Sequence, residues 1–108
     1  MAVERKQIAA CLDECKRHLT TELLPFWLNR CKDDVYGGFN THFDKDGKDT
    51  GYDEKSMLAQ MRTIYSMSAA HRAGYGAGRC AQYAEHGVNF VLDKVWDREY
   101  GGFFWTTN

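Results

Sequence analysis

Arg62, in Gln60-Met61-Arg62, is the residue best suited to chemistry. On a helix it lies about 100° round from Met61, so its guanidinium borders a face built for burial. Taken by itself, an arginine there more often pairs with a structural carboxylate or snorkels to water than binds a ligand. Histidine is the natural general base near neutral pH, and there are four. His18 and His86 fall on flanks of predicted helices and read as solvated, and His71 sits near a helix end where the dipole favours it. His42, in a non-helical stretch, is the one placed to approach a cleft.

Metal chemistry fits less well. Cys11, Cys15 and His18 stand at i, i+4 and i+7, which lines up three zinc ligands on a helix. Cys15, however, shares an apolar stripe with Ile8, Leu12 and Leu19, and no fourth ligand lies near, so packing is the better reading. The four cysteines contain no Cys-x-x-Cys pair and read as reduced thiols. Asp44-Lys45-Asp46-Gly47 has the aspartates of a calcium loop but the wrong spacing: Lys48 holds the fifth position, Asp49 stands where glycine is required, and Lys55 falls at the twelfth. It reads as a solvated hairpin turn.

Bulk properties narrow the classes further. The chain has 108 residues and a net charge of -1, so it presents no basic field for nucleic acid. Its longest apolar run, at 23–28, is far too short to span a membrane. No apolar stretch follows the charges of the N-terminus, which predicts a cytoplasmic protein without a secretory leader.

The elements that position these residues follow from periodicity. Ile8, Leu12, Cys15, Leu19, Leu23 and Phe26 mark one face of a helix, which is expected to stop near Thr20 or Thr21 because Pro25 interrupts it. A short turn then carries Leu24, Pro25, Phe26 and Trp27, with Trp27 wedged into the core. A second helix is expected from Asp53 as N-cap, with Met57, Met61, Ile64 and Ser68 on one ridge, Leu58, Tyr65 and Ala69 beside it, and Gly74 and Gly76 at its end. A third runs from about Gly78 to Lys94 on Cys80, Ala84, Val88, Val91 and Val95. Lys55 and Gln60 read as residues that fix the second helix.

The strongest signal is a repeat. Positions 33–39 and 97–103 both read Asp-x-x-Tyr-Gly-Gly-Phe, 64 residues apart, and Phe26 and Phe90, like Leu28 and Leu92, keep the same offset. Each copy is an aromatic-anchored turn in which paired glycines permit positive φ. The unit is helix, helix, Gly-Gly turn, and units of this kind bury their faces by stacking on neighbours, roughly three or more being needed for stability. About one and a half units are present, so the assembly reads as incomplete.

With Leu23-Leu24-Pro25-Phe26-Trp27, the two turns, Lys55-Ser56 and Gln60-Met61-Arg62 together, the sequence resembles the N-acylglucosamine 2-epimerase and cellobiose 2-epimerase family over nearly its whole length. The resemblance implies an all-α fold: helical hairpins of an (α/α)6 barrel with short Gly-Gly-Phe β-type turns between them. Residues 1–108 would be the N-terminal part of that single domain. It implies a sugar 2-epimerase or aldose–ketose isomerase that opens the sugar ring and moves the C2 proton, with a small-molecule sugar as partner and no metal or redox cofactor. Arg62 would line the sugar site and steady the enediolate. Trp105 could offer a stacking face, and Asn40 and His42 further contacts. The family's acid–base histidines come from later hairpins, beyond residue 108, and the four present here do not match them. Members are often dimers, though nothing in these residues specifies self-association. Two other readings stay open: a glycosidase-like enzyme on the same architecture, for which no carboxylate pair stands out, and a non-catalytic helical module that oligomerises or binds a partner.

Overall fold

A computed structural model describes residues 2–107. The chain is mainly helical with one small sheet: α1 (Arg5–His18), a π-helical turn (Leu19–Leu23), α2 (Leu24–Arg30), β1 (Lys55–Ser56), α3 (Met57–Arg72), α4 (Arg79–Phe90), a second π segment (Val91–Val95) and β2 (Thr106–Thr107).

The first helix does not stop before Pro25. It passes through a π turn in which the Leu24 amide donates back to the Leu19 carbonyl, and Pro25 follows at the start of α2. A proline ring needs no amide partner and crowds the preceding turn, so a locally widened helix accommodates it. The hydroxyls of Thr20 and Thr21 donate to the carbonyls of Lys16 and Arg17, tying the turn together. The extra residue also shifts the register of the helix faces along the sequence. Below it, no other described element packs closely on α1, so the expected stripe is open to solvent, with Ile8 58% and Leu12 51% exposed and no buried residue anywhere on the helix. Above it, Leu24, Trp27, Leu28 and Cys31 turn to the core.

The predicted second helix begins later than Asp53. Ser56 is its N-cap, its hydroxyl accepting from the Ala59 amide at 3.1 Å. The preceding residues are extended because Lys55 and Ser56 pair antiparallel with Thr107 and Thr106, and the Met57 amide donates to the Trp105 carbonyl at 2.8 Å. The buried ridge of α3 includes Gln60 and Met67 rather than Ser68, while Tyr65 is largely exposed. On α4 the stripe passes from Cys80 and Ala84 to Gly87 instead of Val88. Gly87 is needed there: a Cβ would lie 2.5 Å from Ile64 Cγ1 and 2.6 Å from Phe39 Cε2, so its absence brings α4 against α3.

Two apolar clusters result. Leu28, Cys31, Phe39, Met67 and Cys80 form one; Phe90, Val91 and Val95 form the other, with Met57, Met61 and Ile64 against it. The 44–47 segment makes the expected turn. Asp44 Oδ1 accepts from the amides of Asp46 and Lys48, and Gly47 has φ +80°. Phe43 then packs edge-on to Phe26 and Trp27, folding the excursion back onto α2.

Candidate functional site

Arg62 lies on the exposed side of α3, above a groove of about 350 Å³ lined by Leu19, Leu24, Trp27, Thr63, Ser66 and Met67. No carboxylate lines the groove, and among the described residues Arg62 makes no ion pair or side-chain hydrogen bond. The helix thus holds a cation against an apolar wall with its donors free, able to meet an oxygen-rich or anionic group. Trp27 forms part of that wall and is half-buried, not enclosed.

A larger cleft of about 710 Å³ lies beyond the N-terminal end of α3. Asn40 lines it with Asp33, Tyr36, Asp49, Tyr52 and Lys55. His42 is exposed beside it, its ring 4.5 Å from that of Tyr52. The Tyr52 hydroxyl donates to Glu54 Oε2 at 2.6 Å. That bond holds the Tyr52 hydroxyl above its usual pKa range, and together with Thr106 it holds the Glu54 carboxyl below its own. Trp105 is 66% exposed and lines neither cleft. Arg62 and Asn40 therefore face different cavities, with His42 at the edge of the second. The described residues do not gather these four side chains into one site.

What the fold does gather is a buried polar clasp around the first Gly-Gly turn. Asp33 Oδ1 accepts from the amides of Val35 and Tyr36 at 2.9 and 3.0 Å. Its Oδ2 meets Lys55 Nζ at 2.5 Å, and the same ammonium donates to the Gly37 carbonyl at 2.8 Å. Burial pushes the Asp33 carboxyl up, but Lys55 and the two amides outweigh it and hold the group below the ordinary aspartate range. Gln60, fully buried, brackets Phe39, accepting from its amide at 2.8 Å and donating to its carbonyl at 3.0 Å. His86, expected to be solvated, is half-buried, with Nε2 2.8 Å from the Gly38 carbonyl and its ring edge-on to Phe39. Lys55 and Gln60 thus fix the turn to the helix. The five-residue step between them, at a helix start after an Asp-x-x-Tyr-Gly-Gly-Phe motif, was the signal available for it.

Other candidates resolve plainly. Cys11 and Cys15 are exposed, and His18 Nδ1 lies 2.5 Å from Glu22 Oε2. No three metal-ligating side chains converge among the described residues. Among those residues, too, no helix is long and apolar enough to cross a membrane.

Paired helices tied through a Gly-Gly turn by buried side chains define a mainly helical protein whose candidate site residues are divided between the groove along α3, the cleft beyond its N-terminal end and, for Trp105, neither. Comparison with known proteins makes this specific. The family model of N-acylglucosamine 2-epimerase (GlcNAc 2-epimerase) matches residues 37–108, and the chain belongs to that family. It is similar to a cellobiose 2-epimerase of Bacteroides fragilis, 31% identical over 101 residues, covering 88% of this chain and 24% of that protein. A cellobiose 2-epimerase of Ruminococcus albus is 28% identical over 94 residues, covering 87% and 24%. Among solved structures, cellobiose 2-epimerase from Bacillus thermoamylovorans superposes with a TM-score of 0.81 at 30% identity, over 92% of this chain and 25% of that one. The chain spans about a quarter of the length of these relatives.

Proposed function

We propose that this chain contributes the N-terminal hairpins of an (α/α)6 barrel in a carbohydrate 2-epimerase or aldose–ketose isomerase. The family match carries this reading, together with curated relatives that are cellobiose 2-epimerases. It favours the epimerase over the glycosidase-like and non-catalytic alternatives. In this reading the sugar opens, the proton at C2 leaves, and it returns to the other face of C2 or to C1. Arg62 donates to the oxygens of the enediolate, which carry more charge in the transition state than in the bound sugar. Its freedom from internal carboxylates supports that role, since a guanidinium already neutralised would have less to offer. Trp105, Asn40 and His42 are proposed as outlying contacts for the sugar. The general acid and base are supplied by sequence outside this chain.

The test is a chimera in which this chain replaces the matching quarter of the Bacteroides fragilis cellobiose 2-epimerase. Cellobiose is incubated with it in deuterated water, and label at C2 is read by NMR. A folded chimera should introduce deuterium at C2, and Arg62→Ala should lower kcat by about 100-fold or more. An unchanged kcat/KM in that variant would remove Arg62 from the mechanism. A well-folded chimera without exchange would count against the whole reading.

A further inference from the structure

The two Asp-x-x-Tyr-Gly-Gly-Phe turns are the same object in two different states. Most of their internal bonds match, the second copy adding one from the Gly101 amide to the Asp97 carbonyl. Asp97 Oδ1 accepts from the amides of Glu99 and Tyr100 at 2.9 and 3.1 Å, as Asp33 does from Val35 and Tyr36. The Asp97 amide donates to the Gly102 carbonyl at 2.9 Å, and that of Asp33 to Gly38 at 3.0 Å. Phe103 bridges to Trp96 as Phe39 bridges to Lys32. Gly101 and Gly102 have φ of +77° and +76°, close to the values at Gly37 and Gly38.

Their surroundings differ completely. Phe39 is fully buried, while Phe103 is 47% exposed. A Cβ on Gly38 would strike Gln60 and Phe90, whereas one on Gly101 or Gly102 would meet nothing within 4 Å. Asp97 has no cation, and neither the amide nor the carbonyl of Phe103 has a partner among the described residues. These are the groups that Lys55 and Gln60 take in the first copy.

We infer that the 97–103 turn is the docking surface for a further helical hairpin that carries a lysine two residues before its first helix and a glutamine five residues after that lysine. The lysine would meet the Asp97 carboxylate and the Gly101 carbonyl, and the glutamine would bracket the Phe103 backbone. The second helix would supply the covering face that Phe90 and His86 provide for Gly37, Gly38 and Phe39. A second copy of this chain does not fit the role, because its own Lys55 and Gln60 are already buried against 33–39. Relatives about four times as long have the length to carry such a hairpin. The inference concerns assembly and stands apart from any role of Arg62.

The experiment extends residues 1–107 with a second copy of 44–103, which places the copied Lys55 and Gln60 in the same register from Asp97 as the originals from Asp33. Amide hydrogen exchange at Phe103 should slow by about tenfold or more relative to the 108-residue chain, the effect of one new buried hydrogen bond. Copied Lys55→Met, copied Gln60→Leu or Asp97→Asn should each reverse it. The internal control is Lys55→Met in the 108-residue chain, which should speed exchange at Phe39. Unchanged exchange at Phe103, or an added hairpin without helical circular dichroism, overturns the inference. So does concentration-dependent protection of Phe103 in the 108-residue chain, which would make a second copy the occupant.

Discussion

Replacing Lys55 by methionine removes the ammonium that bridges Asp33 and Gly37 while keeping a side chain of similar length against Phe90. The Lys55 and Asp33 side chains are only 8% and 11% exposed, so solvent screens the pair poorly. Breaking such a pair from one side costs about 3–5 kcal/mol, because the remaining charge stays buried alone. Two backbone amides still serve Asp33, which places the expected loss near the lower end, about 3 kcal/mol. With a urea m-value of about 1–1.5 kcal/mol/M, the midpoint at pH 7 should fall by about 2 M, followed by circular dichroism. Asp33→Asn combined with Lys55→Met should recover part of that loss, since no lone charge is left. The pH dependence has a definite sign. Asp33 is held below its unfolded value of 3.8, so the stability it contributes is full above that value and is lost as pH falls through the lower, folded-state one. In Lys55→Met this acid limb should flatten, burial then acting without the opposing ammonium. A midpoint shift under about 0.3 M at pH 7, or an unchanged acid limb, would refute the reasoning.

Two other outcomes follow from the same geometry. Gly38→Ala should destabilise by about 3 kcal/mol or more, since positive φ adds roughly 1–2 kcal/mol to a Cβ placed 2.7 Å from Gln60 Oε1 and 2.8 Å from Phe90 Cδ2; Gly102→Ala, strained but unobstructed, should lose only the first part, and equal losses in urea melts would argue that the two turns are equally covered. Native thiol labelling should modify Cys11 and Cys15 quickly and leave Cys31, whose pKa burial pushes up to about 12, and Cys80 unmodified until the core opens; mass spectrometry showing four rapid adducts would contradict the packing described.

The repeat, the helical character and the family were legible because they rest on residue identities at fixed spacing. The helix phases were not. A hydrophobic stripe counted at 3 and 4 residues assumes an uninterrupted α-helix, and the π turn before Pro25 breaks that count without altering composition. Gln60 was legible as a structural residue but not as a core one, because a polar side chain enters the interior only where a backbone such as that of Phe39 satisfies both ends. His86 was misread for the same reason: its partner, the Gly38 carbonyl, lies 48 residues away. Of the candidate site, Arg62 could be placed on its helix from spacing alone. That Asn40 faces a different cavity depends on how the 40–52 excursion folds back, a path no periodicity records.

The π turn at Leu19–Leu23 carries a consequence for how the sequence can change length. One surplus residue is held there, because the widened turn takes in about one residue more than an α-helical turn of the same rotation. Deleting one residue between 19 and 23 would restore ordinary winding while α1, with Ile8, Leu12 and Cys15, keeps its bearing and Leu28 and Cys31 stay where they are. The turn is therefore a slot in which gene deletions and insertions can act in single steps. The length of the chain can change there by one residue while the helix before it and the core after it stay fixed.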